Sequence, residues 1–350
     1  MKIHEKYMSR CLQLAKNGLG NTYPNPMVGS VIVCDDIIIG EGWHQKAGQP
    51  HAEVNAVNSV KKTELLKKST IYVSLEPCSH YGKTPPCSDL IIAKGIKKVI
   101  IGTVDPFAEV AGRGIKKLLD AGCEVLVGVL EKECQNLNKR FFTFHQKKRP
   151  YVILKWAESL DGFIAPETES RNKKKPVWIT NKTSQQLVHK WRAEEQSILV
   201  GTNTVKADNP SLTTRDWAGD SPTRIIIDRN LSLSKEATVF DQKAPTLILT
   251  ALEVENKNNL KFSKVDFNQN LPSQICEILY SEGLQSVIIE GGAQTLQSFI
   301  NEKLWDEARV FKGNLIFNSG IKAPVLTAIQ NSESTTINGD TLTLYSSIND

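Results

Sequence analysis

The feature that most constrains the fold is a set of three metal-ligand residues, His51, Cys78 and Cys87, in the first hundred residues of the chain. Histidine nitrogen and cysteine thiolate are ligands that Zn²⁺ prefers, and three protein ligands leave the fourth tetrahedral position open, as in catalytic sites. The eight residues 79–86 between the two cysteines must then form a loop that brings both thiolates to one metal. If this site exists, the fold must bring the side chains of His51, Cys78 and Cys87 together.

Glu53 gives this candidate zinc site a chemical role. A carboxylate two residues after the histidine can lie beside the open position without binding the metal, as in the H-x-E…P-C pattern of zinc deaminases. A hydrolytic site needs such a group to carry protons between water and a leaving amine. Two alternatives remain open: a structural zinc, with His44 or His80 as fourth ligand, and no metal at all.

The composition fits a protein of two globular domains. At 350 residues the chain is too long for one ordinary core, and its net charge of +5 suits a phosphorylated small molecule as well as nucleic acid. No apolar run is long enough to span a membrane, and the N-terminus lacks the order of a signal peptide. Seven scattered cysteines do not resemble a disulfide framework, so we expect a cytoplasmic protein.

Alternating strand and helix patterns predict an α/β fold throughout. Helices are expected to begin at His51 and at Cys87, where the positive end of the helix dipole favours a thiolate. One helix is expected over 131–144, and the apolar run 341–346 at the end of the chain is predicted to form an edge strand.

A polar stretch ended by a proline, residues 145–150, marks the expected domain boundary. We place the boundary at about residue 147, which gives domains over 1–147 and 148–350.

The second half has a separate candidate site at Glu290-Gly291-Gly292, directly after the buried strand 286–289. Glycines between a strand and a helix let a phosphate approach backbone N–H groups, although such a turn is more often structural. The spacing is not G-x-G-x-x-G, so an ordinary Rossmann fold is not supported. Glu290 lies at the end of an apolar strand, where its charge needs a polar partner. Lys155 lies within another apolar strand, and its charge also needs a partner. A salt bridge at the strand end is the alternative to a functional role for Glu290.

Three motifs in the first half and four in the second resemble a known family. The first set is Pro24–Gly29, Gly42–Glu53 and Glu76–Cys87; the second is Lys155–Gly162, Trp178–Thr180, Gly201–Thr213 and Glu290–Gly292. Together they resemble the bifunctional riboflavin-biosynthesis deaminase–reductases over nearly the whole chain. The long insert between the two cysteines is specific to this family among zinc deaminases.

The resemblance implies a cytidine-deaminase-like three-layer domain followed by a dihydrofolate-reductase-like domain. It implies hydrolytic removal of the 2-amino group from 2,5-diamino-6-(5-phosphoribosylamino)pyrimidin-4-one, followed by NADPH-dependent reduction of the ribosyl group to ribityl. The implied cofactors are Zn²⁺ and NADPH, and the implied partner is a phosphorylated pyrimidine. We expect a homo-oligomer that binds neither nucleic acid nor membrane.

The resemblance also implies roles for individual residues. His51, Cys78 and Cys87 would bind zinc, and Glu53 would transfer protons. Substrate contacts in the deaminase would come from four residues: Asn25, His44, His80 and Lys83. Lys155 and Glu290 would act on the sugar in the reductase, where the substrate positions are Arg192, Leu212, Arg215 and Glu290. Cofactor positions are Glu158, Trp178, Thr204, Asp208 and the run Gly292, Ala293, Gln294, Thr295, Leu296, Gln297 and Ser298.

The sequence departs from the family pattern at three places. Phe107-Ala108 replaces a common Asn-Pro, Pro176 replaces a small polar residue, and Arg229 replaces a common serine. The arginine would add a cation for the 2′-phosphate of NADPH.

Two other functions compete with the bifunctional one. A nucleic-acid-editing deaminase shares the His-x-Glu and Pro-Cys motifs but needs a basic, aromatic-lined channel, for which the sequence offers only a modest excess of charge. The other alternative is a single-activity enzyme with a decayed second domain. The sequence argues against it, because both halves keep their key polar residues.

Overall fold

The structure is a computed structural model that describes residues 2–81, 85–107, 111–167 and 177–348. The chain divides into two compact units, Met1–Lys148 and Arg149–Asp350. Lys83, Ala108 and Pro176 lie outside the described residues. The longest helices described have 14 and 13 residues, and no helix in the described ranges has the length and hydropathy of a membrane span.

The first unit contains five strands and six α-helices among its described residues. Two short 3₁₀ helices, Lys16–Gly18 and Thr63–Lys68, complete it. In chain order the main elements are α1 (Lys2–Ala15), β1 (Gly29–Cys34), β2 (Ile37–Trp43), α2 (Ala52–Ser59), β3 (Thr70–Leu75), α3 (Cys87–Ala93), β4 (Lys98–Thr103), α4 (Arg113–Asp120), β5 (Glu124–Val127), α5 (Glu131–Leu137) and α6 (Lys139–Lys147).

The five strands form one sheet between two helical layers. Their order is β2-β1-β3-β4-β5, with antiparallel pairing around β1 and parallel pairing of β3, β4 and β5. Side chains of successive strand residues point to opposite faces. On one face, residues such as Ile71 and Val73 pack against α2, α3 and α4; on the other, Tyr72 packs against α1 and α5. The parallel strands therefore carry their carboxyl ends, and the loops that follow, to one edge of a three-layer unit.

The second unit contains eleven strands and four α-helices among its described residues, with one 3₁₀ helix at Thr238–Phe240. In chain order the elements are β6 (Tyr151–Glu158), β7 (Phe163–Ala165), α7 (Lys182–Glu194), β8 (Ser197–Gly201), α8 (Thr202–Asp208), β9 (Thr223–Ile227), β10 (Thr246–Thr250), β11 (Leu260–Lys264), α9 (Leu271–Ser281), β12 (Ser286–Glu290), α10 (Ala293–Asn301), β13 (Glu307–Lys312), β14 (Ile321–Lys322), β15 (Ile329–Ile337) and β16 (Asp340–Ser347).

Nine of these strands form a mixed sheet in the order β11-β10-β9-β8-β12-β6-β13-β16-β15. The seven strands from β11 to β13 are parallel, and β16 and β15 are antiparallel additions. Helices α9 and α10 cover one face of the sheet, and α7 and α8 cover the other. In this sheet the late strand β12 lies between β8 and β6, which differs from the strand order of an ordinary Rossmann fold.

Two sequence-based predictions about individual elements are wrong. The run 341–346 is not an edge strand, because β15 pairs with β16 along its outer side. β15 was missed because all but its last residue are exposed, so its polar sequence lacks the apolar alternation that predicts strands. The single helix over 131–144 is two helices that meet at Asn138, whose side chain bonds the backbone N–H and C=O of Met27 at 2.8 and 2.9 Å.

Candidate active sites in the two units

The three candidate zinc ligands converge at the carboxyl edge of the first sheet. His51 is the N-cap residue of α2, and Cys87 is the first residue of α3. Cys78 follows β3 in the loop that leads to α3. The predicted placement of His51 and Cys87 at helix starts is correct.

The distances among the ligand atoms fit a tetrahedral zinc ion. His51 Nδ1 lies 3.6 Å from Cys78 Sγ and 3.4 Å from Cys87 Sγ. Zinc bonds of about 2.0 Å to nitrogen and about 2.3 Å to sulfur, at a tetrahedral angle, place the two atoms about 3.5 Å apart. Among the described residues, His51, Cys78 and Cys87 form the one group of this kind.

The surroundings of Cys78 favour its thiolate. The pKa of Cys78 is lowered because the Cys87 thiol donates to it, with further stabilisation from His51 and from the backbone N–H of Cys87, 3.3 Å from the sulfur. The same contact with Cys78 raises the pKa of His51. A cysteine must be deprotonated to bind a metal, so the lowered pKa of Cys78 favours the form of that residue that binds zinc.

Glu53 lies in the first turn of α2 and is 3% exposed. Burial raises the pKa of its carboxyl group to about 7, with the Cys78 thiolate adding to the effect and His51 opposing it. The carboxyl group is within hydrogen-bonding reach of Cys87. A carboxyl group that titrates near neutral pH can both accept and return a proton.

His44 does not serve as a fourth ligand. Its Nδ1 bonds the carbonyl oxygen of Pro50 at 3.2 Å and its Nε2 bonds the Asn25 amide at 3.1 Å, although its ring lies edge-on to that of His51. Burial lowers the pKa of His44. The neutral ring donates from Nδ1 and accepts at Nε2, which places Asn25 and His44 together beside the ligands.

The other two predicted substrate residues of the deaminase are less constrained by the structure. His80 is exposed, and Lys83 lies outside the described residues. Asp105, two residues before the Phe107-Ala108 departure from the family pattern, is 8% exposed, and burial raises its pKa to about 6. His80 and Cys78 are among the groups that act on it electrostatically. The sequence signal for Asp105 is its position two residues after β4, at the same sheet edge as Cys78.

In the second unit, three charged side chains meet at the carboxyl end of β12. Glu290 and Lys155 are direct neighbours on paired strands, with 3.8 Å between Lys155 Nζ and Glu290 Oε1. Arg192 of α7 donates to Glu290 Oε2 at 2.7 Å. Burial opposes ionisation of Glu290, but Arg192 and Lys155 outweigh it and hold its pKa at about 2. Oε1 has no hydrogen-bond partner among the described residues, so it can accept from a ligand hydroxyl.

The Gly291-Gly292 turn has a backbone conformation that favours glycine. Both glycines have positive φ, 86° and 74°, and a Cβ on Gly291 would lie 3.1 Å from the Thr204 side chain. Gly292 is the N-cap of α10, and no side chain caps that helix. The side chains of Thr204 and Thr295, two of the predicted cofactor residues, lie beside this turn.

The other predicted cofactor positions differ in what they offer. Trp178 is 58% exposed and available to a ligand. The side chain of Glu158 bonds Trp156 Nε1 at 3.0 Å, so a cofactor contact there would use the backbone. Leu296 lies in the core, and Gln297 bonds the backbone N–H of Val325 at 2.9 Å. Ala293, Gln294 and Ser298 lie in α10, and Asp208 ends α8.

The two remaining substrate positions, Leu212 and Arg215, lie in the loop after α8. Leu212 is buried with a left-handed φ of 54°, and Arg215 is exposed. His189 of α7 was not predicted from the sequence; it is 4% exposed and accepts the backbone N–H of Arg215 at 3.1 Å. Arg229 is also exposed, and its guanidinium lies 5.4 Å from the ring centre of Phe267.

Two family profiles match the chain in the order of its units. Residues 1–103 match the cytidine and deoxycytidylate deaminase zinc-binding region, and residues 150–334 match the RibD C-terminal domain.

Curated relatives match over most of the chain. The riboflavin biosynthesis protein RibD of Aquifex aeolicus is 42% identical over 329 residues, which cover 91% of this chain and 89% of the relative. RibD of Escherichia coli is 45% identical and covers 69% of this chain and 68% of its own length.

Solved structures match over both units. A deaminase/reductase of Thermotoga maritima superposes with a TM-score of 0.87 at 38% identity, covering 99% of each chain. RibD of Acinetobacter baumannii gives a TM-score of 0.87 at 31% identity, also covering 99% of each chain. The predicted fold class, a deaminase-like domain followed by a reductase domain of the dihydrofolate-reductase-like type, is confirmed.

Proposed function

This chain belongs to the RibD family of riboflavin-biosynthesis proteins, and on that premise we propose that it carries out both reactions of the family through the residues described above. The first reaction is hydrolytic deamination of 2,5-diamino-6-(5-phosphoribosylamino)pyrimidin-4-one. The second is reduction of the ribosyl side chain, which gives 5-amino-6-(5-phosphoribitylamino)uracil. The observation that carries the proposal is that one chain holds two separate clusters of polar residues, each suited to one of these reactions.

In the deaminase unit, His51, Cys78 and Cys87 are the residues proposed to bind zinc. Zinc, when bound, supplies a Lewis acid that activates water at neutral pH. Glu53 would accept a proton from water and return it to the leaving nitrogen, a role supported by its buried position in the first turn of α2, two residues after His51. Asn25 and His44 lie against the pyrimidine ring: His44, held by Pro50, fixes the orientation of the Asn25 amide, and that amide binds the ring.

In the reductase unit, the Gly291-Gly292 turn and the start of α10 are proposed to hold NADPH, which supplies a hydride. Lys155 donates a hydrogen bond to the sugar oxygen, and burial lowers the pKa of Lys155, which helps it to release a proton. Glu290 orients the sugar through its unpaired Oε1. Arg192, Leu212 and Arg215 form the substrate side of the site.

The proposal assigns one reaction to each unit of the chain. Residues 1–147 carry the deaminase and residues 148–350 the reductase. We further propose a cytoplasmic homo-oligomer acting on a small phosphorylated pyrimidine.

A nucleic-acid-editing deaminase is not favoured, because residues 150–334 match a reductase domain that such an enzyme does not need. A decayed second domain is disfavoured by the Lys155–Glu290–Arg192 cluster, which retains charged groups in a buried position.

The test uses the purified full-length protein and two separate assays. Ammonia release from the diamino substrate measures the deaminase, and NADPH oxidation with chemically deaminated substrate measures the reductase. Zinc content should be close to one per chain and should fall in Cys87→Ser, because two protein ligands hold zinc poorly. Wild-type protein that binds no zinc, or that does not oxidise NADPH, would contradict the corresponding half of the proposal.

A further inference from the structure

A buried carboxylate next to the zinc ligands has no part in the mechanism above. Glu76, 4% exposed, accepts four backbone N–H groups. Oε2 accepts from Gly112 at 2.9 Å and from Asp105 at 3.3 Å, and Oε1 accepts from Gly114 at 2.9 Å and from Ile115 at 3.2 Å. One side chain thus ties the loop after β4 and the start of α4 to the end of β3.

This carboxylate caps α4 from a distant part of the chain. The N-cap residue Gly112 has a left-handed φ of 75° and no side chain to bond the free N–H groups of the first turn. Glu76 accepts two of them, those of Gly114 and Ile115, and places negative charge at the positive end of the helix. Gly114 permits this approach, because a Cβ there would lie 2.0 Å from the carbonyl oxygen of Pro77.

The four hydrogen bonds that the Glu76 carboxylate accepts from Asp105, Gly112, Gly114 and Ile115 form a clamp, and this clamp lies directly beside a proposed zinc ligand. Glu76 precedes Pro77-Cys78, and its own backbone N–H donates to Thr103 at 3.0 Å. On the other side of Cys78, the carbonyl oxygen of that residue accepts from Ser88 at 3.1 Å. Pro77 restricts the intervening backbone. The position of the Cys78 sulfur is therefore set by Glu76 on one side and by the start of α3 on the other.

We propose that Glu76 is a positioning residue for the metal centre: its four hydrogen bonds hold Cys78 in the geometry that binds zinc. The proposal rests on the zinc site proposed above. Partners that orient metal ligands from outside the first coordination shell typically change metal affinity by about 10–100-fold when they are replaced.

The test is Glu76→Gln in the full-length protein, with zinc affinity measured by competition against a chromogenic chelator. The amide keeps one acceptor oxygen and turns an NH₂ group toward backbone N–H donors, so half of the clamp opens. We expect zinc to bind about 10–100-fold more weakly. In protein loaded with Co²⁺, we expect the visible absorption bands, which report thiolate–cobalt geometry, to shift.

Leu118→Ala is the matched control, because Leu118 is fully buried on α4 but belongs to the apolar core. It destabilises the same helix without removing an acceptor from the clamp. We expect zinc affinity and the Co²⁺ spectrum to stay at their wild-type values. Equal weakening of zinc binding in Leu118→Ala and Glu76→Gln would overturn the proposal, since general loosening of α4 would then explain both.

If Glu76→Gln does not fold, Glu76→Asp replaces it. This variant keeps the charge and both oxygens one methylene farther back, so a smaller loss of zinc affinity is expected. Wild-type zinc affinity in either folded variant would refute the positioning role while leaving the zinc site in place. Wild-type protein that binds no zinc would instead refute the zinc site itself.

Discussion

The two candidate sites of this chain are built on opposite electrostatic plans. At the candidate zinc site, burial and the neighbouring Cys78 thiolate raise the pKa of the Glu53 carboxyl group to about 7 in the chain without metal. At the reductase site, the pKa of Glu290 is lowered to about 2, because Arg192 and Lys155 outweigh a similar burial. Equal burial thus gives one carboxyl group that exchanges protons near neutral pH and one that stays charged. The difference teaches that the neighbouring cations, more than depth, decide whether a buried acid moves protons or orients a ligand.

Glu53→Gln should produce the largest effect and tests the proton-transfer half of this comparison. The amide keeps the shape of the side chain but cannot accept and return a proton, so ammonia release should fall by about 10²–10⁴-fold. Zinc content and NADPH oxidation with deaminated substrate should be unchanged. Loss of NADPH oxidation in this variant would contradict two independent sites and would point to a shared one.

Glu290→Gln tests the other half of the comparison, that the carboxyl group of Glu290 stays charged and orients a ligand. It leaves Lys155 and Arg192 buried without their counter-charge, which typically costs about 3–5 kcal/mol of unfolding free energy. Urea denaturation should show that loss together with slow NADPH oxidation and normal ammonia release. The control is Glu195→Gln, which breaks another buried ion pair, with Arg309 at 3.3 Å. It should lower stability but leave NADPH oxidation close to normal in protein that remains folded.

The same residue gives a prediction about pH. The pKa of Glu290 is depressed from 4.5 to about 2 in the folded chain, so its stabilisation is present above about pH 4.5. That stabilisation is lost as the pH falls from 4.5 towards 2. Unfolding free energies of the wild type and of Glu290→Gln should therefore converge over this range. A difference that stays constant between pH 5 and pH 3 would show that Glu290 is not ionised by its neighbours.

Gly291→Ala tests whether the turn after β12 must be glycine. A left-handed alanine costs about 1–2 kcal/mol, and its Cβ would also press on Thr204. We expect that loss of stability together with weaker NADPH binding, measured by fluorescence titration. Gly283→Ala is the matched control, because Gly283 has a φ of 72° and a Cβ added there would meet nothing within 4 Å. It should show the same strain with normal NADPH affinity, and equally weak binding in both would place the cofactor elsewhere.

His189 gives the smallest expected effect. Burial and the charge of Arg192 lower its pKa, with Arg215 acting in the same direction and Asp216 and Glu290 opposing. Below about pH 6.5 the unfolded chain gains a proton that the folded chain resists, so stability should fall there. His189→Asn can still accept from the Arg215 N–H but does not titrate. Unfolding between pH 7.5 and 5.5 should thus depend less on pH in the variant, and identical slopes would refute the assignment.

The candidate zinc site was predictable from sequence because its proposed chemistry depends on residue types. Histidine and cysteine at helix starts carry a strong signal, and His51, Cys78 and Cys87 do converge. Glu76 and His189 carried no such signal. Their roles depend on hydrogen bonds to backbone groups far along the chain, and backbone donors leave no trace in residue identity.

The elements of the fold were predictable for a similar reason. Buried strands such as β12 are indicated by apolar runs, whereas β15 is polar and exposed, and depends on its pairing with β16. The break at Asn138 was missed because it depends on the backbone of Met27, 111 residues away. Long-range contacts of this kind cannot be read from local periodicity.

The presence of two sheets with separate hydrophobic clusters in one chain also has a consequence for the cell. Each translated chain carries one copy of each candidate active site, so the two sites are produced in equal number at every level of expression. A cell that encoded the two units separately would have to match two rates of synthesis and two rates of degradation. Here, the peptide bond between Lys148 and Arg149 fixes that stoichiometry at the moment of translation.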